Sequence, residues 1–302
     1  MTLIRPAIAA ILLLLIPSGR TAGAERPTDG AWQRIGTNDL LLVAPERLVL
    51  HEHDHTRVAK ILRAAPLTIR YSGEVAFWSL SVDGDRLTLT RGTSAASFQR
   101  LANIPEELKL RPLPVARTAP LPEARVAETR TAVEKLRDRE QAVMTDPQHT
   151  KEDVEALRGE TLSWFETTLP DLGWVDAARF GEHTSFMAVI LAKHTASLRL
   201  LSTILPFVEK DFRDSGSRAQ AFAITYDEVQ LFLGEKQKYG TQVCGTPADP
   251  YVCPMVDPQR VHALRKELGL DPLAQYLEEL AGAIYAGHPV RMPTPQESGD
   301  AL

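Results

Sequence analysis

Between residues 40 and 100 the apolar positions recur mostly at every second residue, the period of a strand with one buried face. In VAFWSLSVDGDRLTLTR (75–91), Ala76, Trp78, Leu80 and Val82 alternate with Ser79 and Ser81, and the pattern resumes at Leu87 and Leu89. Asp83-Gly84 separates the two runs, a hairpin signal because both residues tolerate positive φ. LLLVAP (40–45), RLVLH (47–51) and LTIRYS (67–72) read as further strands, and HTRVAKILRAA (55–65) as a short helix. RPLPVARTAPLPEA (111–124) carries four prolines and breaks regular structure, which makes it a linker.

Beyond the linker the spacing becomes helical. Thr150 followed by Asp153 fits a capping box that opens a helix with Val154, Leu157 and Leu162. Met187, Ile190, Leu191, Leu198, Leu201 and Leu205 form one apolar stripe and predict a helix over 182–212, with His183 and His194 on that stripe and His194 therefore buried or partly buried. A further helix runs from about 217 to 233, with Gly234 at its C′ position. Asp257-Pro258 and Asp271-Pro272 each place an N-cap acid before an N1 proline, and Gly269 and Gly287 stop the helices that follow. The fold class is α+β: a β-rich module over 25–110, a linker over 111–124, a helical domain over 125–290 and a disordered tail over 291–302.

The first residues change the picture of where the chain works. Arg5 precedes an apolar run from Ala7 to Ile16, and Ala22-Gly23-Ala24 supplies a small-residue cleavage site. Residues 1–24 therefore read as a secretory signal peptide, and the run is too short for a permanent membrane anchor. The expected location is the periplasm or the exterior. The net charge of −5 becomes more negative once Arg5 and Arg20 leave with the leader, and no basic run remains, which argues against nucleic acid as a partner. Cys244 and Cys253 are the only cysteines, flank Gly245, Pro247 and Pro250, and in an oxidising compartment make one disulfide.

Three groups of residues could carry chemistry. In HEHDH (51–55), a strand puts His51, His53 and His55 on one face, a spacing that suits zinc; the alternative is a polar strand end. His183 and His194 lie eleven residues apart, roughly 16 Å along a helix, and cannot share one metal. Each is either a satisfied core histidine or a site residue. Asp227 flanks the apolar face made by Phe222, Tyr226, Val229 and Leu233, and Gln237, Tyr239, Thr241 and Gln242 follow in a glycine-containing loop. These groups donate and accept hydrogen bonds but need activation to act as acids, bases or nucleophiles. They suit recognition of a polar ligand or satisfaction of buried backbone.

LGW (172–174), Gly181, LAKHTASLRLLSTILP (191–206), AITYDEV (223–229), QKYGTQ (237–242) and LGLDPLAQY (268–276) occur in that order. Together they resemble a bacterial family of unknown function that carries a Gly-Trp-Pro element, a Gln-His pair on an apolar helix, an Asp-Arg pair and Gln-x-Tyr-Gly-Thr-Gln. The resemblance spans about 130–280. Gly173 and Trp174 match the first element with Val175 in place of proline, His194 follows Lys193 in place of glutamine, and Asp227 precedes Glu228 in place of arginine. Gln237, Tyr239, Gly240, Thr241 and Gln242 match throughout, and Arg265 fits a basic position in the next helix. The resemblance implies convergence of His194, Asp227 and the loop.

The sequence favours a binding or structural role over catalysis, because no nucleophile–base–orienter set is visible. Its partner would be a polar small molecule or an envelope protein. One alternative is an envelope hydrolase with His194 as general acid/base, Asp227 tuning it, and Gln237, Tyr239, Thr241, Gln242 and Arg265 holding the ligand. Another is a metal-binding protein using His51, His53 and His55. No further cofactor is expected.

Overall fold

A computed structural model describes residues 27–52, 55–64, 67–146, 148–215 and 218–299. The signal peptide expected over 1–24 lies outside the described residues, as does His53. The described residues divide into two compact units, one made of those up to Leu110 and those from Tyr226 on, the other of those between. The helical domain expected over 125–290 is divided at Tyr226, from which the chain groups with the N-terminal strands.

The first unit is built on eight antiparallel strands: β1 (Gly30–Arg34), β2 (Leu40–Val43), β3 (Arg47–Glu52), β4 (His55–Ala64), β5 (Leu67–Tyr71), β6 (Glu74–Asp83), β7 (Arg86–Arg91) and β8 (Ser94–Arg100). Each pairs with its sequence neighbour, and β1 pairs with β8 to close a barrel. Inward positions follow the period of two: Trp32, Leu41, Val43, Leu48, Ala59, Leu67, Ile69, Leu87, Leu89 and Phe98 make one buried cluster. The barrel is therefore filled by its own side chains. The expected hairpin forms one residue later than the dipeptide suggests, with Asp83 paired to Arg86 across Gly84-Asp85.

Residues 55–64 are a strand and not the short helix expected. β4 finds ladder partners on both sides, in β3 and β5, and a register shift between Ile61 and Arg63 marks a bulge. One extra residue in the strand sets Ile61 and Leu62 side by side, so the apolar spacing mimics a helical period. After β8 a short 3₁₀ turn (Glu106–Lys109) packs on β2 and β3 and buries Leu108.

The second unit holds α1 (Glu123–Thr145), α2 (Lys151–Leu172), α3 (Ala177–Phe180), α4 (Glu182–His194) and α5 (Leu198–Ser215), and α6 (Ala219–Phe232) begins in it. Thr150 and Asp153 make the expected capping box at α2. The predicted 182–212 helix is two helices. Thr195 Oγ1 accepts from the Ser197 N–H at 3.2 Å, Ser197 Oγ accepts from the Leu200 N–H at 3.2 Å, and Ala196 takes φ +53 between them. Hydroxyl groups that offer the backbone another acceptor thus end α4 and restart the chain as α5. Phe165 stacks on Trp174 in the core, with ring centroids 6.2 Å apart.

The C-terminal part of the first unit contains β9 (Val243–Thr246), β10 (Asp249–Val252), α7 (Val261–Leu268), α8 (Leu273–Ala283) and α9 (Pro295–Ser298). α7 begins after a turn in which Asp257 Oδ1 accepts from the Arg260 N–H at 3.1 Å, and Gly269 closes it with φ +74. Pro272, without a side-chain cap, precedes α8. The segment expected as a disordered tail carries α9 as far as it is described. A Thr294–Glu297 capping box opens α9, and Arg291 grips Asp249 at 2.8 Å and Glu297 at 2.7 Å. Among the described residues no helix is long and apolar enough to cross a membrane.

Candidate functional site

Asp227 sits in the second half of α6, fully buried, and the loop after that helix folds around its carboxylate. Oδ1 accepts from the N–H groups of Lys238 (2.7 Å) and Tyr239 (3.0 Å). Oδ2 accepts from the N–H of Tyr239 (3.1 Å), the N–H of Thr241 (3.0 Å) and the Thr241 hydroxyl (2.9 Å). Burial pushes the Asp227 pKa up from 3.8 to about 6, while the Lys238, Thr241 and Tyr239 donors pull against that rise. A loop that bends through Gly240 at φ +69 has several backbone donors with no ladder to join, and the one carboxylate collects them.

Gln237 repeats the arrangement on the other side of the loop. Its Oε1 accepts from the Gln242 N–H at 2.9 Å, and its Nε2 donates to Gln242 O at 3.0 Å and Cys253 O at 2.7 Å. Its own backbone bridges to Pro254 and Val256. The Cys244–Cys253 disulfide, with S–S 2.07 Å, ties the strands that follow. Gln242 Nε2 donates to Thr241 Oγ1 at 3.1 Å.

Arg265 on α7 is buried. Its Nη1 donates to Tyr239 O at 2.9 Å, its Nε donates to Asp271 O at 2.6 Å, and its guanidinium lies 4.8 Å from the centre of the Tyr276 ring. Tyr276 in turn donates its hydroxyl to Thr241 O at 2.9 Å. Desolvation holds the Arg265 pKa below the usual guanidinium value, and Asp227 nearby partly offsets it. α7 and α8 are thereby fastened to the loop through its carbonyl groups.

The loop is fastened to the barrel as well. Glu235 accepts from Lys60 Nζ at 2.7 Å and Arg47 Nη2 at 3.2 Å. Gly234, at φ +73, approaches the barrel so closely that a Cβ there would stand 2.3 Å from Lys60 N and 2.7 Å from Arg70 O. In the sequence Glu235 is only a lone acid directly after the C′ glycine, and Arg47 on β3 and Lys60 on β4 give it its role.

The structure brings Asp227, Gln237, Tyr239, Thr241, Gln242 and Arg265 together in the first unit. His194 belongs to the second unit and ends α4. Its side chain is half exposed at the C-terminal end of α4, and His183 in the first turn of the same helix is exposed. His194 Nδ1 meets Glu140 Oε1 at 2.7 Å. At the other candidate, His51 Nδ1 lies 2.9 Å from Thr56 Oγ1, and His55 starts β4. Among the described residues no group of three or more His, Cys, Asp or Glu side chains is placed to hold a metal ion.

A groove of about 670 Å³ runs along α8, lined by Leu273, Leu277, Ala281, Val290 and Met292 with His262 and Glu278 at its rim. Leu273 is shared with the loop: a Cβ on Gly240 would stand 2.9 Å from its Cδ1.

Fold and site together define a filled β-barrel whose C-terminal helices are knotted to it by a polar loop. Residues 141–287 match the model of a family of unknown function, DUF6624, and that stretch includes His194, Asp227, the loop and Arg265. No curated protein matches the chain.

Proposed function

We propose that the chain is an exported binding or scaffold protein, in which loop 237–242 supports a binding face from behind and takes no part in chemistry. The observation that carries this reading is the saturation of Asp227. Three N–H groups and one hydroxyl converge on its two oxygens, which leaves little acceptor capacity for a substrate. Gln237 spends both ends of its amide in the same way. Export rests on the leader-like residues 1–24, and the disulfide is in keeping with a periplasmic or secreted location. The face that the loop stabilises is the α8 groove, and its occupant is an apolar segment of an envelope partner.

The test is uptake of a fluorescent apolar dye by the purified chain. Leu277→Asp should abolish uptake at unchanged fold, and Thr241→Val should weaken it by loosening the wall at Leu273. Dye uptake that Leu277→Asp leaves intact removes the groove from the reading. A second reading, hydrolysis with His194 as general acid/base, is favoured only by the Glu140 bond that could orient the imidazole. Ester turnover that His194→Gln abolishes would establish it.

A further inference from the structure

Arg218 stands immediately before α6 at φ +69, in the second unit, with its side chain 8% exposed. Nη1 donates to Ser185 Oγ at 3.3 Å and lies 3.7 Å from Asp211 Oδ2. Nε and Nη2 are buried and have no hydrogen-bond partner. Those two nitrogens carry the parallel N–H pair with which a guanidinium grips both oxygens of a carboxylate or phosphate. A buried donor without a hydrogen-bond acceptor is unfavourable, so this edge of the fork favours taking up an acceptor.

The fork is directed at the start of α4. Its nearest groups there are Ser185 and Glu182, both in the first turn. α4 opens at Gly181 with no side-chain cap, so its leading N–H groups and the positive end of its dipole are unclaimed by a capping residue. A second guanidinium reaches the same place: Arg130 Nε donates to Phe180 O at 2.9 Å, and its Nη2 would stand 3.6 Å from a Cβ on Gly181. The acidic groups nearby are Glu182, Asp211 and Asp176. Glu182 Oε1 is 3.6 Å from Arg218 Nη2, beyond hydrogen-bond reach, and its side chain is 74% exposed. Asp176 is engaged with Arg179 at 2.6 Å. Burial and the neighbouring Asp176 raise the Asp211 pKa above the ordinary carboxylate value.

We propose that the first turn of α4, Arg218 and Ser185 form a binding site for an oxyanion, a carboxylate or a phosphate group, which takes the fork edge of Arg218 and displaces the Glu182 carboxylate into solvent. The site is independent of the loop around Asp227 and of the α8 groove, and its ligand would be a small acid or the acidic end of a larger molecule.

Calorimetric titration of the full chain with inorganic phosphate and, separately, with acetate tests this, with chloride at equal ionic strength as control. Saturable binding of either anion is expected, and the one that binds more tightly names the source. Glu182→Gln should tighten it about threefold by removing the competing charge, and Arg218→Gln should weaken it about tenfold by removing the charge-assisted pair. Absence of saturable binding in both the native chain and Glu182→Gln overturns the proposal, as does binding that Arg218→Gln leaves intact. Should Arg218→Gln not fold, Glu182→Gln decides: Glu182 is on the surface, and an unchanged affinity overturns the site.

Discussion

The backbone N–H of Tyr239 is shared between both carboxylate oxygens of Asp227, at 3.0 and 3.1 Å. Such a bifurcated bond centres the loop on the acid, with Lys238 and Thr241 donating on either side. The relationship makes Asp227 the acceptor around which the loop turns, and it sets what substitution there should do.

Replacing Asp227 by Ala strands three N–H groups and a hydroxyl in the interior. The expected loss is about 3–5 kcal/mol of unfolding free energy, the range for a buried charged partner removed from its donors. His194→Gln, at a half-exposed pair with Glu140, should stay within about 0.5 kcal/mol. Urea titration of the two variants measures both, and equal losses would mean that the loop is not centred on Asp227.

Asp227 also gives stability a pH dependence with a definite sign. Its folded pKa of about 6 lies above the ordinary 3.8, so the folded state holds the proton more tightly than the unfolded chain. The resulting stabilisation is fully present below 3.8 and is lost as pH rises through 6. Between pH 7 and pH 5 the native chain should gain on the order of 1 kcal/mol relative to Asp227→Asn. Unfolding curves of the pair at both pH values check it; a gap that narrows on acidification contradicts the assignment.

Gly234 has no room for a side chain. Gly234→Ala places a methyl 2.3 Å from Lys60 N in a backbone conformation at φ +73, so both strain and collision oppose it. A loss of about 3 kcal/mol or more is expected, against about 1 kcal/mol for Gly269→Ala, where nothing lies within 4 Å and only the φ penalty applies. Thermal unfolding of the two variants separates the effects.

Cleaving Cys244–Cys253 should destabilise the fold by about 2–3 kcal/mol, the loop-closure value for so short a loop. Gln237 Nε2 bonds Cys253 O, so the loss should reach the loop, and Cys244→Ser/Cys253→Ser should speed hydrogen exchange at Lys238, Tyr239 and Thr241. Exchange left unchanged at those amides would uncouple the disulfide from the loop.

The strands were legible wherever alternation held, as in β6 and β7, because one barrel face is apolar throughout. β4 was not, since its bulge breaks the period that identifies strands. The α4–α5 break had a signal in Thr195 and Ser197, and the continuous apolar stripe outweighed it. For the site, the resemblance implies that His194, Asp227 and the loop converge; Asp227 and the loop meet in the first unit while His194 lies in the second, and sequence cannot tell ligand contacts from internal bonds. Gln237 and Thr241 carry the same donors and acceptors in either case, and only the positions of the backbone groups they satisfy decide. Arg218 left no trace at all, because its unspent fork depends on where α4 begins.

The first unit draws on both ends of the described chain, the residues up to Leu110 and those from Tyr226 on, with the second unit encoded between them. During synthesis the eight strands therefore emerge well before Glu235, Gly234 and the disulfide that complete their surroundings. The barrel must wait through more than a hundred intervening residues, most of them helical, for its own last pieces. A chain that stops short of Tyr226 leaves Lys60 and Arg47 without their acid and the Ser72-Gly73 turn without the cysteines that pack on it. Maturation of this protein is thus governed by its final quarter, and early termination should yield a barrel vulnerable to proteolysis in spite of having all eight strands.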